Sequence, residues 1–312
     1  MGYRIEPHAP VDVELRRILH DQLQVAIADL RTDGGPDADA IHDARRRIKK
    51  ARSALRLARS AFGGAVVHEA NAELRQVART VAAQRDADAR VDAVDRLLAV
   101  LAEPTEPTEP AAPAEPPLAA LTRLREQAVA AAADQRASGA VDVSTARGAS
   151  HQLQQTSDWL QRIPLQAEGW DALGPGLRRQ YARGRHQLEA LGPAPDDEDR
   201  HEWRKRVKDL WYHERLLRDL WPKALKPYVR TASDLADLLG DDHDLSLVRS
   251  FAEVDATLDA EDRAWVVDAV DARRDVLLAD ARVLGRLLYA ERPRAWADRH
   301  GAWWAIRSAA GS

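Results

Sequence analysis

Two histidines, each followed at fixed offsets by arginine and lysine, carry the strongest chemical signal in this chain. The first heads the stretch Ile41 to Arg59, IHDARRRIKKARSALRLAR, which holds eight Lys or Arg and one acid, Asp43, in a protein of net charge -4. On a helix advancing about 100° per residue, His42, Arg45, Lys49, Arg52, Arg56 and Arg59 fall within about 100° of one another. Ile41, Ile48, Ala51, Leu55 and Phe62 occupy the neighbouring face. A solvated helix face mixes signs and points away from the core. This row borders the buried side instead, which suits an anionic ligand held at one place.

A second copy begins at His201, HEWRKRVKDLWYHERLLRDL. His201, Arg204, Lys208, Arg215 and Arg218 repeat the offsets of His42, Arg45, Lys49, Arg56 and Arg59, 159 residues later. Such register points to an internal duplication whose retained feature is a cationic ridge headed by a histidine. Trp211 stands at the Arg52 position, with Tyr212 beside it. The repeat extends downstream, where RDAD around Arg85 and Asp86 answers GDDHD around His243 and Asp244. A carboxylate there could accept a hydrogen bond from the histidine, pair with a nearby arginine, or cap the next helix.

The span from His42 to Arg59 is about 25 Å on a helix, a length suited to a linear polyanion. Arg offers bidentate forks and Lys a point charge, and both grip phosphate oxygens. The histidines, placed in the first helical turns, would sit with Arg45 and Arg204 where the macrodipole disfavours cations and where free backbone N–H groups attract anions. A third basic group, GLRRQYARGRHQLEAL from Gly176, offers Arg178, Tyr181 and Arg185 at i, i+3, i+7 spacing bordering the apolar side. Arg179, Arg183 and His186 point elsewhere. Arg75, Arg79 and Arg85 are weaker candidates. No HExxH or His-x3-His pair accompanies either row, and cations repel a metal ion. There is also no GxxxxGK[ST], no Rossmann GxGxxG and no serine elbow. No metal or cofactor is therefore expected. The alternatives are a phosphohydrolase or phosphotransferase using His42 or His201, or a metal-binding helical scaffold.

The elements that must position these residues are helices. Ala, Leu, Arg, Asp and Glu dominate the 312 residues, and Gly and Pro gather between periodic segments. A first helix spans about 11–30, and Asp37 or Asp39 caps the His42 helix. Helices near 66–83 and 86–101 complete an N-terminal bundle, residues 1–102. Residues 103–117, EPTEPTEPAAPAEPP, read as a stiff linker. A C-terminal bundle, 118–312, contains the His201 helix, capped by Asp197 or Asp199, then helices near 223–239, 245–258, 261–289 and 293–307. Most of the nine tryptophans lie in this half, as core or inter-helix filler. Without cysteine, an apolar leader or a long apolar span, the chain is expected to be cytoplasmic, with no membrane partner. Nucleic acid is disfavoured by the lack of aromatic platforms interleaved with basic residues.

At these motifs the sequence resembles the CHAD family, the conserved histidine α-helical domain. HDARRRIKKARSAL, HEWRKRVKDLWYHERLL and GLRRQYARGR carry the likeness, and RDAD and LGDDHDLSL add to it. The resemblance implies an all-α fold of two four-helix-bundle-like halves related by internal pseudo-two-fold symmetry, together a single domain over 1–312. It implies non-enzymatic binding of inorganic polyphosphate in a basic groove, and association with polyphosphate granules. The CYTH triphosphatase domain that precedes some members is not expected here. Carried onto this chain, the site is His42, Arg45, Lys49, Arg52, Arg56, His201, Arg204, Lys208 and Arg215, joined by Arg178, Arg185 and Tyr212. Asp209 and Trp211 stand where the second motif is often basic.

Overall fold

The computed structural model describes residues 2–32, 34–81, 85–102, 118–138 and 141–310. The proline-rich segment 103–117 and the side chains of Arg85 and Asp86, for which a linker and a carboxylate role are expected, lie outside the described residues. Among those described, every regular element is helical: α1 (Val11–Leu30), α2 (Ala38–Leu57), α3 (Arg59–Phe62), α4 (Gly64–Thr80), α5 (Arg85–Ala102), α6 (Leu118–Ser138), α7 (Val143–Arg162), a 3-10 turn (Gly169–Ala172), α8 (Gly174–Ala190), α9 (Asp197–Leu217), α10 (Pro222–Val254), α11 (Ala260–Leu288) and α12 (Pro293–Ala309). The all-α expectation holds, and no described helix is long and apolar enough to cross a membrane.

The chain forms two compact units, and they do not divide at 103–117. One gathers residues 1–83, 141–236 and 283–312; the other gathers 84–140 and 237–282. Helices α5 and α6, on opposite sides of the expected linker, pack together in the second unit. Their apolar faces explain why: Val94 and Leu97 share a core with Leu121 and Leu124, with Val248 of α10 and with Val266 and Val270 of α11. Burying such side chains is worth about 1.5–3 kcal/mol each.

In the first unit the partner that completes the α1, α2, α4 bundle is α7, not the helix near 86–101. Ala146, Ala149, Leu153 and Leu160 form the buried face of α7. Arg16 of α1 fastens its end, donating to the carbonyls of Leu160 (3.1 Å) and Ile163 (2.7 Å). These carbonyls have no helical partner, and a cation is favoured there. Against this bundle lie α8, α9 and α12.

One further boundary differs. The two helices expected at 223–239 and 245–258 are a single helix, α10, running through Gly240–Asp244. Asp244 is therefore interior to a helix and caps nothing. It pairs with Arg96 at 3.3 Å within the second unit.

Candidate functional site

Both motif helices start in the same way. Asp37 caps α2, accepting from the Ala40 N–H at 2.8 Å, and Asp196 caps α9, accepting from the Asp199 N–H at 2.8 Å. Each histidine stands five residues beyond its capping aspartate, so the likeness of the two segments includes the cap. The α9 cap is one residue earlier than Asp197, and both histidines lie in the second turn. The first turns carry acids instead, Asp39 in α2 and Asp197, Glu198 and Asp199 in α9. The helix starts thus favour their macrodipoles, and the expected cationic penalty at the first turn does not arise.

The two helices pack on each other through a buried polar contact. Ser53 Oγ donates to Asp209 Oδ1 (3.3 Å), and His213 Nε2 donates to the Ser53 carbonyl (3.0 Å). Arg56 Nε donates to Asp209 Oδ2 at 3.1 Å, and its terminal nitrogen closes a bidentate pair on Oδ1. Arg206 approaches the same carboxylate at 3.5 Å. Burial raises the Asp209 pKa, but Arg56, His213 and Arg206 outweigh it and hold the carboxyl below its ordinary range. Burial, assisted by Arg56, pushes the His213 imidazole down against the pull of Asp209.

Moving back along α2 from Arg56 through Ser53 to Lys50, the partners advance along α9 from Asp209 through His213 to Arg215. The helices therefore run antiparallel. Each cationic row sits at the same angular offset from the contact face of its own helix. In an antiparallel pair, equal offsets bring the two rows to the same side of the contact. His42, Arg45, Lys49, Arg52 and Arg56 are all half-buried, and so are His201, Arg204, Lys208, Trp211 and Arg215. Neither row is a freely solvated face.

The contact is not charge-symmetric. Asp209 occupies in α9 the place that Lys50 occupies in α2. Lys50 is buried, its ammonium lying 5.7 Å from the centre of the Tyr3 ring. Burial, then Arg215, Arg47 and Arg46, pull its pKa down to about 8, with Asp43 opposing. Tyr212, expected at the ligand, is instead 6% exposed and packs edge-on against Tyr3, its ring centre 6.0 Å away. Burial of apolar area draws this ring inward at the α2–α9 contact. Trp211 takes the guanidinium of Arg215 over its ring at 4.9 Å, so the aromatic that interrupts the row also steadies one of its members.

The residues of the third basic group have different surroundings. Tyr181 is buried and donates to the Leu288 carbonyl at 3.1 Å. Arg185 is engaged by Glu189 (2.8 Å) and the Glu291 carbonyl (2.7 Å), which take two of its five N–H donors. Arg178 is exposed. Burial and then Arg59, Arg183 and Arg178 lower the Arg179 pKa. Arg206 is depressed by burial, with Arg183 and Arg56 adding to it and Asp209 opposing. Gly176 permits the close approach of α8 to the end of α2, since a Cβ there would lie 1.7 Å from the Leu57 carbonyl oxygen. The periodicity of α8 alone could not reveal which of its faces meets the end of α2.

Among the described residues no three His, Cys, Asp or Glu side chains gather as a metal site. The arrangement instead offers many donors and few acceptors on one side of a helix pair. A family model, that of the CHAD domain, matches residues 17–253. The chain belongs to the CHAD family. A CHAD domain structure from the plant Ricinus communis superposes with a TM-score of 0.61 at 15% identity, covering 92% of this chain and 94% of that one. PptA from Streptomyces chartreusis superposes with a TM-score of 0.62 at 17% identity, covering 91% of this chain and all of that one. At these identities the likeness concerns the CHAD fold. A comparison with curated protein sequences returned no match.

Proposed function

We propose that this CHAD protein binds inorganic polyphosphate without turning it over. The chain of phosphates lies along the α2 and α9 rows, with Arg and Lys supplying charge and His42 and His201 adding hydrogen bonds when protonated. The observation that carries this reading is the antiparallel α2–α9 contact, which sets two half-buried cationic rows on one side. Strong charge on one helix could be solubilising. Two rows sharing an edge, in a chain of net charge -4, concentrate positive potential where a polyanion would be drawn.

Long-chain polyphosphate, RNA and ATP should be set in competition for the purified protein, with polyphosphate expected to displace the other two. The double variant Lys49→Glu, Lys208→Glu should lose retention on a polyphosphate column while its helical circular dichroism persists. Retention equal to wild type would refute the site. Incubation with polyphosphate and a divalent metal should release no phosphate; steady release would refute the non-enzymatic reading. Attachment to polyphosphate granules follows from such binding, and the same double variant should be lost from them.

A further inference from the structure

We infer that α4 carries a third cationic row, Asn71–Arg75–Arg79, which grips a polyphosphate chain on α2 from the side opposite α9. This rests on the polyphosphate reading above and extends its site to a helix outside both histidine motifs.

Asn71 is the hinge of the inference. Its Oδ1 accepts from Arg52 Nε at 3.4 Å and from Arg56 Nη1 at 3.2 Å, while its own Nδ2 donates to the Val67 carbonyl at 2.9 Å. That last bond settles which end of the amide faces the arginines. A fold that only needed Arg52 quiet would place a carboxylate here, as Asp209 serves Arg56. An amide oxygen orients both guanidinium groups and brings no charge to offset that of Arg52. One and two turns beyond Asn71, on the same edge of α4, stand Arg75 and Arg79. Both are exposed, and both lie within electrostatic reach of Arg52. Arg79 is again held by a neutral acceptor, Gln76 Oε1 at 2.9 Å. Among the described residues no carboxylate forms an ion pair with Arg52, Arg75 or Arg79.

Bringing Arg56, Arg75 and Arg79 within electrostatic reach of Arg52 works against stability, because like charges repel and Arg52 is partly desolvated. Its pKa falls to about 10 through burial, then Arg56, Arg75 and Arg79, with Asp209 opposing. A phosphate chain reverses the sign of that term. With α4 packed on α2, its row runs beside the α2 row, which is then flanked by α4 on one side and α9 on the other.

The test is the double variant Arg75→Glu, Arg79→Glu, at two exposed positions where substitution leaves the fold intact. Affinity for long-chain inorganic polyphosphate, measured over a range of salt, should fall at least tenfold. The slope of log affinity against log salt should become shallower by roughly 1.4, at roughly 0.7 for each lost contact. Asn71→Asp, close in shape, should weaken binding in the same direction by placing a carboxylate between Arg52 and Arg56. Wild-type affinity and slope in both variants would overturn the third row. If wild type is not retained on polyphosphate, or Lys49→Glu, Lys208→Glu is retained like wild type, the polyphosphate reading itself falls. Loss in that variant together with unchanged Arg75→Glu, Arg79→Glu removes only the α4 row.

Discussion

Arg56 of α2 clasps Asp209 of α9 through both of its carboxylate oxygens, whereas Arg215, at the corresponding place in α9, faces Lys50. One diagonal of the helix contact is thus an ion pair and the other a pair of cations. The two helices differ at the position where each meets the other. The consequence is directional: one end of the α2–α9 contact is neutralised from within, and the other keeps its positive charge.

Replacing Asp209 should separate stability from binding. Asp209→Ala leaves Arg56 and Arg206 without their shared carboxylate inside the contact, and breaking a buried pair costs about 3–5 kcal/mol. Asp209→Asn preserves shape and should cost less, while raising polyphosphate affinity because a negative charge leaves the edge of the site. The folded carboxyl titrates below the ordinary value of about 3.9. Its stabilisation is therefore complete above that value and lost as pH falls through the folded pKa. Urea midpoints between pH 3 and 7 should fall less steeply towards acid for Asp209→Asn than for wild type.

Lys50 should make binding consume protons. In the free protein its pKa is about 8, against the ordinary 10.5, so between these values the unfolded chain holds more protons than the folded one. Stability from this group accordingly rises as pH increases above 8. A bound polyanion beside Arg215 and Arg46 favours the ammonium form and lifts the pKa again. Calorimetric titration of polyphosphate near pH 8.5, in two buffers of different ionisation heat, should report proton uptake that Lys50→Met abolishes. Equal uptake in the variant would assign the proton to another group.

The rows of cations were legible in the sequence because they lie within single helices, where spacing alone decides which residues share a face. Both capping aspartates were near legibility for the same reason, Asp37 directly and Asp196 one residue away. What spacing could not convey was pairing between distant segments. Asn71 is one neutral amide among many until α4 is laid on α2, and Arg206 is a spare arginine until Asp209 is buried beside it. Spacing cannot choose between the Arg185 and Arg183 faces of α8, because a helix face has no fixed neighbour until Gly176 sets α8 against Leu57. The grouping of helices is hidden similarly: a run of prolines leaves open whether α5 and α6 fold back together.

Affinity for polyphosphate should fall steeply with salt, since each phosphate neutralised by Arg or Lys releases condensed counterion. For a single-stranded polyanion the log–log slope is roughly -0.7 per contact. Removing one member from each row, by Lys49→Ala with Lys208→Ala, should reduce its magnitude by roughly 1.4 on the same scale. A wild-type affinity indifferent to salt would exclude an electrostatic row as the binding element.

Gly176 should tolerate no side chain. A Cβ at this position would stand 1.7 Å from the Leu57 carbonyl oxygen and 2.6 Å from its carbon, and backbone at the end of α2 cannot yield as a flexible side chain could. Gly176→Ala must therefore push the start of α8 away from α2, carrying Arg178 and Arg179 with it. By contrast, a Cβ at Gly148 meets nothing within 4 Å, and Gly148→Ala, inside α7, should stabilise by up to about 1 kcal/mol through helix propensity alone. Thermal melts of the two variants should move in opposite directions. If Gly176→Ala melts with or above wild type, the close approach of α8 to the last turn of α2 is refuted, and with it the placement of Arg179 beside Arg59.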